Sequence, residues 1–125
     1  MFTGLVQTMG EVGSIRALSP SDSGVRLLIR TRGWDHKPSP GDSICVSGCC
    51  LTLAEPAELA KGEMTMVFDV IPESLSKTNL GSLIEGSRVN IEPSCTPTTL
   101  LGGHVVQGHV EGLATIERIE TSPGW

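Results

Sequence analysis

Tyrosine is absent from this 125-residue sequence, and only two Phe and two Trp accompany its aliphatic residues. A flat heterocycle therefore cannot be sandwiched between aromatic rings; backbone groups, methyls and a few polar side chains would have to hold it. Positive charge is scarce as well: nine Lys and Arg face fourteen Asp and Glu, giving a net charge of −5 with no basic stripe. That balance excludes a general nucleic-acid binder, which must neutralise phosphates. No apolar run approaches the length of a bilayer span, and the N-terminus lacks a basic segment followed by an apolar one. The expectation is a soluble, cytoplasmic chain with no membrane partner. A C-x-x-C knuckle is also missing among Cys45, Cys49, Cys50 and Cys95. Vicinal Cys49 and Cys50 point to opposite faces of a strand, and His104 and His109, five apart, diverge in the same way. No metal is expected, and buried free thiols are the simpler reading of the cysteines.

What the sequence does have is turn chemistry. Fifteen Gly and eight Pro punctuate short apolar segments, which points to an all-β chain rather than a helical bundle. FTGLVQT, EVGSIRAL and VRLLIRT read as strands, with a dense turn cluster from Ser19 to Gly24 between the last two. Arg32 to Asp42 is a loop barred from regular structure by Pro38 and Pro40. Gly41 to Leu53, GDSICVSGCCLTL, alternates: Ser43, Cys45, Ser47 and Cys49 share one parity, and Ile44, Val46, Gly48 and Cys50 the other. Ala54 to Glu63 is a polar connection, MTMVFDV a strand, and SRVNIEP the last strand. Between these two, Pro72 opens a short helix that stops at Asn79-Leu80-Gly81, with Pro at the start and Gly at the end. The count is about six strands and one short helix, the pattern of a small closed barrel.

An internal repeat is the second organising fact. Leu5-Val6-Gln7 recurs as Val105-Val106-Gln107, and Val12-Gly13-Ser14-Ile15 recurs, one residue shifted, as Leu113-Ala114-Thr115-Ile116. The chain starts its first module again and reaches Trp125 only two strands in. Residues 1–97 are expected to form a first barrel, and 98–125 a linker plus the first strands of a truncated second repeat. Too few strands remain for that repeat to close by itself, so it must dock on the first module, pair with another chain, or stay loose.

Five motifs in order, MFTGLVQ, GCCLTL, FDVIPESLSKTNLG, VNIEP and GGHVVQGHVEG, closely resemble the riboflavin synthase family (α-chain type, built of lumazine-binding repeats). The resemblance covers nearly the whole chain. It implies two six-stranded Greek-key barrels, each binding one 6,7-dimethyl-8-ribityllumazine, and a site between barrels of two subunits in a trimer. It implies a dismutation that moves a four-carbon unit between two lumazines, giving riboflavin and a ribitylamino-pyrimidinedione. Neither a metal nor an organic cofactor is implied. Carried over by motif, the substrate-binding residues are Gly4, Leu5 and Val6; Cys50, Leu51 and Thr52; Asp69, Val70, Ile71, Pro72, Glu73 and Ser74; and Gly108, His109 and Val110. The departure from the family pattern is that most of the second barrel is missing, which leaves a dimer open to the shortened chain.

Such a reaction needs a base for the acidic 7-methyl group and a nucleophile for the electrophilic ring. Ser43, Cys50 and His109 are the candidate catalytic residues. On strand parity alone Ser43 and Cys50 face opposite sides, so a bulge at Gly48 is required if both are to reach one ligand; otherwise one is structural. An unperturbed histidine changes charge near neutral pH, which makes His109 a candidate proton shuttle or ring contact; without the resemblance, a histidine satisfied by a backbone carbonyl is the favoured reading. His36, in the Pro-rich loop, is expected to be solvated. Asp69 and Glu73 read as an acid–base pair or as acidic residues complementing a helix start. Ser74 and Thr52 would offer hydroxyls to a ribityl chain. Three functions fit these residues: the synthase itself, a lumazine-carrying antenna protein without chemistry, and an isolated module that pairs with itself.

Overall fold

The computed structural model describes residues 1–20 and 22–124. Ser21, in the expected turn cluster, and Trp125, at the end of the expected second repeat, lie outside the described residues. One seven-stranded antiparallel sheet dominates: β1 (Thr8–Ser19), β2 (Asp22–Arg32), β3 (Ser43–Val46), β4 (Cys49–Thr52), β5 (Glu58–Ala60), β6 (Glu63–Val70) and β7 (Arg88–Pro93). Its strand order is β4-β3-β7-β1-β2-β6-β5. The all-β expectation therefore holds, with an open ladder in place of a fully closed one. The curled sheet brings β4 round to β6 at a single isolated bridge, Leu53 with Phe68, beside an Ala54 N–H to Val67 carbonyl bond of 2.8 Å.

Alternation explains the core. Along β6, Met64, Met66, Phe68 and Val70 are buried while Glu63, Thr65, Val67 and Asp69 lie on the outer side. Period-two patterning sends these sets to opposite faces. Leu27 and Ile29 of β2, Ile44 and Val46 of β3 and Val89 and Ile91 of β7 complete the interior. Each such side chain contributes roughly 1.5–3 kcal/mol by leaving water.

Three local expectations are corrected. FTGLVQT is not a strand of its own: Phe2 forms an isolated bridge with Val106, and only the segment's last residue, Thr8, belongs to a strand, as the start of β1. The polar connection from Ala54 to Glu63, read as a connection without a strand, contains the edge strand β5. The alternating run from Gly41 to Leu53 is two strands, because Ser47 and Gly48 both adopt left-handed backbone (φ 47° and 92°) and reverse the chain. Two residues of positive φ make the tight hairpin turn whose twist matches the flanking strands. Ser47 tolerates this conformation because β7 grips it: its N–H donates to the Asn90 carbonyl at 2.8 Å, and its hydroxyl accepts from the Asn90 N–H at 3.2 Å.

The helix behaves as expected at its start and differs at its end. Helix α1 (Pro72–Lys77) has Pro at its first position and no capping side chain. A 3-10 turn over Asn79–Ser82 follows, capped by Thr78, whose hydroxyl accepts from the Leu80 N–H. Together they pack Leu75, Leu80 and Leu83 over Ile15, Val25 and Leu27.

Candidate functional site

The β3–β4 hairpin sorts its side chains into two sets. Its register pairs Ser43 with Thr52, Ile44 with Leu51, Cys45 with Cys50 and Val46 with Cys49. Directly opposed residues share a face. Ile44, Val46, Cys49 and Leu51 therefore enter the core, and Ser43, Cys45, Cys50 and Thr52 face the other way. Ser43 and Cys50 do share a face, through a hairpin turn and without the bulge that parity demanded. They are not adjacent, however: Ser43 lines no cavity with Cys50, and its carbonyl accepts from the Ser94 N–H at 3.0 Å.

The segment after β7 crosses this outward face. Phe2 and Val106 exchange two backbone bonds, of 2.7 and 2.9 Å, and the Cys50 N–H donates to the Gly108 carbonyl at 2.7 Å. A Cβ on residue 108 would sit 2.7 Å from both the Cys50 Cβ and the Cys50 nitrogen, so glycine alone permits so close an approach. Beyond Gly108 the described residues up to 124 contain no helix or strand.

Docking the segment leaves two concavities. The first, about 180 Å³, is lined by Cys49, Cys50, Glu73, Ser74, Thr78, Gly108, His109 and Val110. It joins the end of α1, the start of β4 and the crossing segment, three of the stretches singled out in the sequence. The second, about 190 Å³, lies beside Gly4, Val6, Cys45, Gly48, Asn90, Glu92 and Val106. A larger depression, about 490 Å³, sits on the outer sheet among Arg30, Arg32, Arg88, Glu11 and Glu63. Its charges largely serve one another, since Glu63 takes Arg32 at 2.9 Å and Arg30 at 3.8 Å, and none of the expected site residues lies in it.

The first cavity is lined by two cysteines, two hydroxyls, a carboxylate and an imidazole. Burial pushes the Cys49 thiol up from its ordinary pKa; the neighbouring Cys50 adds to this, and a hydrogen bond with Ser74 opposes it. Burial also raises Cys45, reinforced by the Glu92 carboxylate. The Thr78 hydroxyl donates to the Ser74 carbonyl at 2.6 Å, which fixes the helix end against the cavity. Glu92, only 6% exposed, holds the N-terminal segment: it accepts from Thr3 N–H at 2.5 Å, Thr3 Oγ1 at 2.7 Å and Gly4 N–H at 3.1 Å.

Of the expected residues, then, Cys50, Glu73, Ser74, Gly108, His109 and Val110 are brought together. Gly4 and Val6 line the neighbouring concavity, and Leu5 beside them is exposed. The Leu51 and Val70 side chains are buried in the core and present no side chain to a ligand. Thr52, Ile71 and Pro72 are exposed at the surface. Asp69 is engaged elsewhere: Arg26 clasps it at 2.8 and 2.9 Å while also meeting Glu55 at 2.7 Å. The Arg26 hydrogen bond holds its carboxyl below the usual range, and Asp69 does not line the cavity with Glu73. His36 is half-buried and its ring lies tilted against that of Trp34, at 38° with centroids 4.9 Å apart. Thr78 and Glu92 escaped the sequence reading, and Cys49 was read only as a buried thiol and not as a residue of the cavity wall. Glu92 alone carried a signal, a carboxylate beside the inward Ile91. Among the described residues no group of three or more His, Cys, Asp or Glu is placed to hold a metal, and no helix is long and apolar enough to cross a membrane.

The chain is similar to known proteins. The riboflavin synthase of Mycobacterium tuberculosis is 42% identical over 125 residues, which are 100% of this chain and 59% of that protein. The riboflavin synthase of Bacillus subtilis is 38% identical over 120 residues, covering 96% of this chain and 52% of the relative. The chain thus spans little more than half the length of these relatives. Among solved structures, LumP complexed with riboflavin superposes with a TM-score of 0.68 at 26% identity, over 98% of this chain and 62% of that one. The family model for the lumazine binding domain matches residues 3–94, and the chain belongs to that family.

Proposed function

We propose that this chain carries one lumazine site of a riboflavin synthase, the enzyme that dismutates two 6,7-dimethyl-8-ribityllumazines to riboflavin and a ribitylamino-pyrimidinedione. The observation that carries the reading is the cavity uniting Cys50, Ser74 and His109 from three separate stretches, in a chain 42% identical along its whole length to such an enzyme. In this reading the ring enters between α1 and the 108–110 segment. Cys50 and the hydroxyls of Ser74 and Thr78 orient it, and Glu73 receives ribityl hydroxyls. His109 moves the 7-methyl proton, and Ser43 and Cys50 are the groups to test for assisting addition to the ring.

A cavity of about 180 Å³ falls short of the roughly 300–1,000 Å³ that encloses a drug-sized ligand. A bicyclic ring with its ribityl chain overfills it, and two rings certainly do. We therefore assign residues 1–97 to one lumazine-binding module and 98–125 to the start of a second, whose remainder, or another copy, completes the site. Leu5, Val6, Val105 and Val110 are exposed around the two concavities, which suits coverage by such a partner in a cytoplasmic homo-oligomer. A second reading, a carrier that binds without chemistry, draws on the resemblance to LumP complexed with riboflavin.

Incubation with 6,7-dimethyl-8-ribityllumazine separates the two. Riboflavin appearing, and abolished by His109→Gln, supports the synthase. Tight binding without turnover, even when the full-length relative's second half is supplied in trans, supports the carrier. No binding to either ligand overturns both.

A further inference from the structure

The hairpin register sets one pair of thiols face to face. Cys45 and Cys50 are direct cross-strand partners, and the Cys50 amide donates away from β3, to Gly108 at 2.7 Å. A residue whose N–H turns away from its partner strand belongs to a non-hydrogen-bonded pair, the antiparallel site where the two Cα atoms approach to about 4.5 Å. The two-residue turn requires the same assignment. Val46 and Cys49 close the turn as the hydrogen-bonded pair, so the next pair outward, Cys45 with Cys50, is the open one. Disulfides span Cα separations of roughly 4.4–6.8 Å, so this pair can be bridged without rearranging the backbone. Both cysteines are free thiols here. We propose that Cys45 and Cys50 form an oxidisable dithiol, and that its disulfide withdraws the Cys50 thiol from the cavity it lines with Ser74 and His109.

Access sets the order of events. Cys50 is partly exposed at the cavity wall, whereas Cys45 is buried at the floor of the second concavity, beside Val106 and Glu92. A peroxide therefore reacts at Cys50: the sulfur is oxidised to a sulfenic acid, and the peroxide O–O bond breaks to release water. The Cys45 sulfur then attacks that sulfur; the S–O bond breaks, the S–S bond forms, and the hydroxyl leaves as a second water with the Cys45 proton. Cys49 borders the same cavity, but it is the adjacent residue of the same strand, so its side chain diverges from that of Cys50 to the opposite face and it is not the cross-strand partner. Cys95 lies past β7 and is not a register partner of either cysteine.

The test is a peroxide titration of the purified full chain. The denatured reduced protein has four titratable thiols; after oxidation two of the four should remain, and dithiothreitol should restore the loss. Fragment mass spectra should place the link between positions 45 and 50. Cys45→Ala should abolish the intramolecular link and stop at a sulfenic acid, trapped by dimedone at position 50, while Cys95→Ala should leave the link intact. A link through Cys49 or Cys95, or no link at peroxide levels that label Cys50, overturns the proposal. Loss of lumazine fluorescence change on oxidation, recovered on reduction, is the further consequence, and it rests on the cavity being the lumazine site. Thiol counting does not, so a mapped disulfide with unaltered lumazine binding sustains the dithiol and overturns that site assignment.

Discussion

Val12 and Leu113 hold matching positions in two stretches that read alike, VGSI and LATI, yet Val12 is 1% exposed and Leu113 77%. The contrast extends along both copies. Val12 and Ile15 pack into a sheet in which β1 is flanked by β2 and β7, whereas Ile116 and Ile119 are 77% and 78% exposed with no strand beside them. Strand-like patterning specifies which face is apolar; it does not supply what covers that face. Where the later segment does find a partner, at Phe2–Val106 and Cys50–Gly108, it forms the only backbone pairing that crosses the hairpin's outward face among the described residues. The cavity is built there.

The comparison can be broken from either side. The largest effect is expected in the sheet: Phe68→Ala removes a fully buried ring and should cost about 3–5 kcal/mol in urea unfolding. Ile116→Ala should stay within about 0.5 kcal/mol, as exposed substitutions do. Equal losses at both positions would mean that the later segment is packed in solution after all.

Glu92→Gln comes next. It exchanges a buried carboxylate that accepts three bonds for an amide whose NH2 must face donors, at roughly 1.5–3 kcal/mol for hydrogen bonds to a charged group. Detachment of the N-terminal segment should follow, read as faster amide exchange at Thr3 and Gly4. Gly108→Ala tests the seam itself. Its methyl would press on Cys50, and the overpacking should cost about 1–3 kcal/mol if the segment stays docked. If it lifts away instead, stability is spared and residues 104–124 become protease-sensitive, together with weaker lumazine binding.

The smallest effect is at Asp69. Its folded pKa lies below the unfolded value of about 3.9, because of Arg26. The stabilisation is therefore fully present above that value and is lost as pH falls through the depressed folded pKa. Asp69→Asn should narrow the stability difference between about pH 7 and about pH 3, and the pair's exposure keeps the change within about 1 kcal/mol.

Much of the sheet was legible because inward and outward residues alternate: β6 follows its sequence pattern residue by residue, and β7 does so as far as Ile91, where buried Glu92 breaks it. GDSICVSGCCLTL misled for a specific reason. Its alternation continues unbroken through Ser47-Gly48, so nothing in the spacing marks the turn, and Ser47 reads as one more strand residue until Asn90 is seen to hold it. The site was half legible. Cys50, Ser74 and His109 were named from their motifs, but Asp69 was assigned to the site when Arg26, 43 positions earlier, claims it. Glu92 was passed over because its partners lie 88 and 89 positions away.

By itself the sequence determined the apolar faces of the strands, the proline-led helix and the doubling of a motif, since these depend on local geometry and on residues a few positions apart. The tertiary structure decided the pairing of Cys45 with Cys50, the burial of Glu92 and the seat of Gly108 on Cys50. Each depends on which distant strand supplies the neighbour, and a period-two pattern is the same whichever strand that is.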